Sequence, residues 1–133
     1  MESIEVYLRN TDKAEVSLYL DSAYPGQRNP WLLWVNGDSC LYIEIYEDWG
    51  KFGVSYEYYD DIVSEFDGDP PVVVLANVSG RCHGVEPVYK FVIDLLTRFD
   101  GLASDDYINH LWTLVELKDW QLIEGQPFFD SYG

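Results

Sequence analysis

Cys82 and His83 are the one place in this chain where a nucleophile type and a base type stand side by side. A cysteine–histidine couple works only when sulfur and imidazole come within hydrogen-bond reach, and adjacent residues in a turn point apart, so the pair reads as a turn after a strand. His110, the other histidine, falls beside an apolar stripe and reads as a partly buried structural residue. Two histidines and two cysteines, with no Cys-x-x-Cys spacing, offer little to zinc. Asp60, Asp61, Glu65, Asp67 and Asp69 are a dense source of oxygen ligands, yet they do not follow the twelve-position calcium loop. Neither a Gly-x-Gly-x-x-Gly nor a Gly-Lys-Ser/Thr phosphate loop occurs. With 24 acidic residues many carboxylate pairs arise by accident, so a glycosidase-type pair is not signalled. The expectation is no catalytic residue, no metal and no cofactor.

Binding chemistry is better represented. Nine carboxylates (Glu44, Glu47, Asp48, Glu57, Asp60, Asp61, Glu65, Asp67, Asp69) fall within 44–69, and Lys51 is the only base there. Aromatics run through them. If the two strands of this region pair, Tyr42, Glu44, Tyr46, Glu57 and Tyr59 share one face, with Trp49 in the turn. Large aromatics act as interface anchors, and carboxylates steer and select a basic partner. The expected partner-binding set is Tyr42, Glu44, Tyr46, Glu47, Asp48, Trp49, Glu57, Tyr59, Asp60, Asp61, Glu65 and Asp67. The competing reading is a solvated face on which tyrosine merely serves its strand propensity.

The elements that must position these residues are strands first and helices after. Ile4, Val6 and Leu8 alternate with polar neighbours, and Asn10-Thr11-Asp12 supplies a turn. Val16, Leu18 and Leu20 suggest the second arm of a hairpin, with a helix as the competing reading of 14–21. Trp31–Val35 is a continuous apolar run, as expected of a central strand, and Asn36-Gly37 is a strong hairpin-turn signal. Alternation predicts strands over 41–46 and 52–59, and 72–76 reads as buried strand. The period then lengthens to a helical one. Pro87 opens a helix whose stripe is Val88, Phe91, Val92, Leu95, Leu96 and Phe99, with Gly101 at its C-terminal end. Ser104 is positioned to cap a second helix carrying Ile108, Leu111, Trp112 and Val115. A short strand over 120–123 and a tail held by Phe128 and Phe129 complete the pattern. The fold class expected is α+β: a mainly antiparallel sheet of five to six strands with two C-terminal helices packed on one face.

Bulk properties bound the rest. The 133 residues suit one domain, 1–133, with no linker or repeat dividing it. No signal-peptide pattern and no membrane-length apolar run are present, and Cys40 and Cys82 are too few for a disulfide framework, so a reduced, cytoplasmic, soluble protein is expected. A formal charge of −16 repels nucleic acid and anionic membrane, which argues against direct binding to either. Yet the chain is 47 % hydrophobic and 17 % aromatic, unlike a disordered acidic tail.

Size, acidity, the strand-then-helix order and the segments Trp31-Leu32-Leu33-Trp34-Val35-Asn36-Gly37, Leu41-Tyr42-Ile43-Glu44-Ile45 and Gly53-Val54-Ser55-Tyr56-Glu57-Tyr58 carry a resemblance. They resemble the central sheet of bacterial immunity proteins from polymorphic and contact-dependent toxin systems, found beside deaminase and nuclease toxins. The resemblance implies a non-enzymatic inhibitor of a basic cognate toxin, and implies that the family's strand-edge acids correspond to Glu44, Glu47 and Glu57. Three alternatives stay open: a DNA-mimic regulator of a nucleic-acid-binding protein, a small enzyme of unknown reaction, and a scaffold or oligomer subunit, which an exposed apolar patch would signal.

Overall fold

The computed structural model describes residues 2–28, 30–46, 72–81, 85–105 and 110–129. Among these residues five strands form one antiparallel sheet: β1 (Glu2–Arg9), β2 (Trp31–Val35), β3 (Asp38–Tyr46), β4 (Val72–Val78) and β5 (Asp100–Ser104), in the order β2-β3-β4-β1-β5. Among the described residues three helices accompany it: α1 (Lys13–Ala23), α2 (Glu86–Arg98) and the short α3 (Leu114–Lys118). The class is α+β, as the residue pattern predicts.

Strand alternation settles which side chains meet the helices. Ile4 lies opposite Ala76 and Val6 opposite Val74, while Ile43 and Ile45 face the same two β4 residues from the other side. These residues are buried in one cluster with Val16 and Leu20 of α1 and with Val88, Phe91, Val92 and Leu95 of α2. Each such side chain contributes roughly 1.5–3 kcal/mol by leaving water. The α2 stripe is the one the sequence predicts. Asn36 and Gly37 both have positive φ, 52° and 85°, the pair a two-residue hairpin turn between β2 and β3 demands.

Five expectations are corrected. Residues 13–23 are helix, not the arm of a hairpin. The Asp12 carboxylate accepts the Glu15 N–H at 2.8 Å as a cap, Val16 and Leu20 are buried one turn apart, and Leu18, which a hairpin would bury with them, is 68 % exposed. Among the described residues Trp31–Val35 is an edge strand, not the central one expected.

The second C-terminal helix does not begin at Ser104. Residues 100–104 pair with β1 in five registered positions, Ser104 is a buried strand residue, and the short helix starts later at a Thr113/Glu116 capping box. Gly101 is accordingly not a helix terminator. It lies opposite Leu8, where an added Cβ would stand 2.0 Å from the Tyr7 carbonyl oxygen. Only glycine lets β5 approach β1 this closely. Lastly, the expected strand at 120–123 reduces to one Ile123–Gln126 bridge, because Trp120 and Glu124 take positive φ and break the extension. Phe128 and Phe129 are fully buried and hold the tail as expected, with the Phe129 N–H donating to the Asp105 carboxylate at 2.7 Å.

Candidate functional site

Of the twelve expected partner-binding residues, Tyr42 and Glu44 have described side chains and Tyr46 is placed as the last residue of β3. Glu47, Asp48, Trp49, Glu57, Tyr59, Asp60, Asp61, Glu65 and Asp67 lie outside the described residues, as do the expected strand over 52–59 and the Cys82-His83 pair. Tyr42 and Glu44 occupy the sheet face away from the helices, as alternation requires, and both are half-buried. The Tyr42 hydroxyl is hydrogen-bonded to Ser39 Oγ at 2.9 Å.

Strand order adds residues to this face that the linear reading did not join to it. Glu44 lies opposite Leu75, and Leu75 lies opposite Glu5 on its other side, so two carboxylates share one level two strands apart, about 10 Å at Cα. Tyr7 donates to Glu5 and sits 3.5 Å from Ser104 Oγ, and Arg9 pairs with Asp100 at 3.2 Å. Tyr7, Val73 and Leu102 are buried on this face, which is therefore not a simply solvated surface. The alternation of β1 already displayed Glu5 and Tyr7; what was missing was the neighbour relation of β1, β4 and β3.

The sequence reading also missed a groove of about 980 Å3 between β2, the end of α1 and the first half of α2. Tyr24, Leu33, Val35, Val85 and Pro87 give it apolar walls, and Lys90 lies on its rim, ion-paired to Asp94 at 3.1 Å. Burial pushes the Tyr24 hydroxyl well above its ordinary pKa. The groove is braced by Asp21, which accepts from Arg28 Nε at 2.8 Å and from the indole N–H of the buried Trp31 at 2.9 Å. Those hydrogen bonds, Arg28 first, hold the Asp21 carboxyl down at about 2. Trp34, three residues beyond Trp31, is 59 % exposed at the groove. The signal available in advance was the unbroken apolar run of β2, which fits an edge strand beside an apolar groove as well as a central one.

A second titratable cluster joins His110, Glu116 and Trp112. His110 Nε2 stands 3.1 Å from both Glu116 carboxylate oxygens, and its ring meets Trp112 edge-on at 4.9 Å. Burial raises the Glu116 carboxyl, but hydrogen bonds from the Thr113 backbone N–H and from His110 outweigh it and leave the pKa lowered. Glu116 also completes the cap of α3, so the pair ties the 110–113 segment to that helix. This is a structural role, in keeping with the reading of His110 as structural.

Cys40 is disulfide-bonded, which corrects the expectation of reduced thiols; the chain's other cysteine, Cys82, lies outside the described residues. Among the described residues no three His, Cys, Asp or Glu side chains cluster in a way that could hold a metal ion, and no helix is long and apolar enough to cross a membrane. The described residues form an acid–aromatic sheet face and an apolar groove beside β2. Comparison with protein families, curated proteins and solved structures finds no match for this chain.

Proposed function

We propose that this chain is a toxin-neutralising immunity protein that binds a basic, nucleic-acid-processing bacterial toxin, a nuclease or deaminase, one-to-one and blocks its active site without catalysing any reaction. The observation that carries this reading is 24 acidic residues against 8 basic ones on a chain with a filled core. Like-charge repulsion opposes the compact state, and a cationic partner relieves it on binding. Enzymes that hold phosphates are positive around their clefts. An acidic inhibitor is steered to such a cleft at rates approaching roughly 10⁸–10⁹ M⁻¹s⁻¹ at low salt. Fast capture matters most where a free toxin is lethal. The acid–aromatic run from Tyr42 to Asp67 supplies the steering charge, and exposed Trp34 supplies an aromatic of the kind that anchors interfaces.

The test expresses the product of the neighbouring reading frame, expected to be a basic protein, and pairs it with the purified chain. The expected result is a one-to-one complex in native mass spectrometry, an association rate that falls steeply with salt, and loss of the partner's activity on nucleic acid. A salt-independent association rate, or a complex that still processes nucleic acid, refutes the proposal.

A further inference from the structure

We propose that the outer edge of β2, with the groove beside it, docks one extended segment of a basic partner protein, which adds a sixth strand to the sheet and seats an apolar side chain against Tyr24, Leu33 and Pro87. This rests on the binding reading above and gives it a location and a mode.

Four consecutive residues, Leu32, Leu33, Trp34 and Val35, line the groove. Side chains of Leu32 and Leu33 point to opposite faces, and the pairing with β3 slips between Leu33 and Trp34, so a groove touching all four follows the strand's margin across a bulge. Among the described residues no strand pairs with that edge on the side away from β3. The opposite edge of the sheet is treated differently. Ala103 of β5 exchanges both backbone hydrogen bonds with Trp112, at 3.0 and 2.7 Å, and so is closed from within the chain. Native edge strands are ordinarily blunted by charge or proline, yet β2 reads Trp-Leu-Leu-Trp-Val and carries neither. Its five residues give a seat about 16 Å long, enough for a strand of matching length.

Charge selects the occupant. Lys90 at the groove is neutralised by Asp94, and Arg28, outside its lining, by Asp21. Asp38, opposite Val35 at one end of β2, and Glu86, on the groove wall, are exposed and have no ion-pair partner among the described residues. Among the described residues the surroundings of β2 are therefore net negative. A second copy of this chain would itself carry a net charge of −16. Self-pairing is opposed by that repulsion, whereas an extended segment with an apolar centre and Lys or Arg flanks satisfies the backbone edge, the groove and the rim together.

The test uses a capped octapeptide of alternating lysine and isoleucine, and its glutamate–isoleucine counterpart, titrated into isotope-labelled protein and followed by NMR. The expected result is shifted amides and slowed amide exchange concentrated at Trp31–Val35 with the lysine peptide, and binding at least about tenfold weaker with the glutamate peptide. Trp34→Ala and the double variant Asp38→Lys/Glu86→Lys should each weaken the lysine peptide at least about tenfold while circular dichroism stays that of the parent. Shifts confined to other strands, equal affinity for the two peptides, or a dimer in analytical ultracentrifugation that Trp34→Ala dissolves would overturn the proposal. Amide exchange in the complex with the neighbouring gene's basic protein separates the two ideas. A salt-sensitive complex with β2 amides unprotected sinks the docking mode and keeps the immunity reading. Peptide binding at β2 without any complex sinks the immunity reading and keeps the docking mode.

Discussion

Trp31 and Trp34 stand three residues apart on one five-residue strand, and replacing each with alanine should give sharply different losses of stability. Trp31 is 2 % exposed, and its indole N–H donates to Asp21 at 2.9 Å. Truncating a buried aromatic of this size costs about 3–5 kcal/mol, and the lost hydrogen bond adds about 1. Trp34 is 59 % exposed. A tryptophan offers up to about 250 Å2, so some 100 Å2 of it is covered. At about 25 cal/mol/Å2 that is ~2.5 kcal/mol as an upper bound, and ~1.5–2 once residual burial in the unfolded chain is discounted. Urea unfolding followed by far-ultraviolet circular dichroism reads both values without depending on tryptophan emission. The Trp31 variant should lose at least about 2 kcal/mol more than the Trp34 variant, with unchanged m-values. Equal losses would mean that Trp34 is covered, that β2 is not an open edge, and that no docking seat exists there.

Gly101→Ala should destabilise by about 2–3 kcal/mol, since its Cβ would sit 2.0 Å from the Tyr7 carbonyl oxygen and force β5 off β1; a gain in stability on urea titration would show that the two strands are not this close. Asp21 predicts an acid-sensitive brace. Its folded pKa of about 2 lies below the ordinary carboxylate value near 3.9, so its contribution is fully present above pH ~4 and is lost as pH falls toward 2. The thermal stability gap between the parent and Asp21→Asn should therefore narrow across that window, and a gap independent of pH would exclude the Arg28 and Trp31 contacts as its cause. Cys40 should resist alkylation in protein prepared without reductant, and reduction should lower stability by about 2–4 kcal/mol; ready alkylation of the untreated protein would restore the expectation of free thiols.

Legibility followed the range of the interaction. The α2 stripe, the alternation of β1 and β3 and the Asn36-Gly37 turn were readable because each depends on neighbours within a turn or a strand. Residues 13–23 were ambiguous because Val16 and Leu20 satisfy both a two-residue and a helical repeat, and the Asp12 cap decided between them. Ser104 carried a genuine cap signal that lost to five registered pairings with β1, a competition no local window contains. The candidate site divides in the same way. Tyr42 and Glu44 were assigned to one face correctly, whereas Glu5 and Tyr7 joined that face only once β4 was seen between β1 and β3.

By itself the chain's composition determined that the protein is acidic with a full apolar core, and its local periodicities determined most strands and the long helix. Only the tertiary structure decided that the apolar run of β2 lies at the sheet's margin, that α1 and α2 wall a groove beside it, and that Gly101 serves a close strand approach. The reason is physical. Charge and periodicity are properties of a segment and survive in any arrangement, whereas an edge, a groove and a contact distance are relations between segments far apart in the chain.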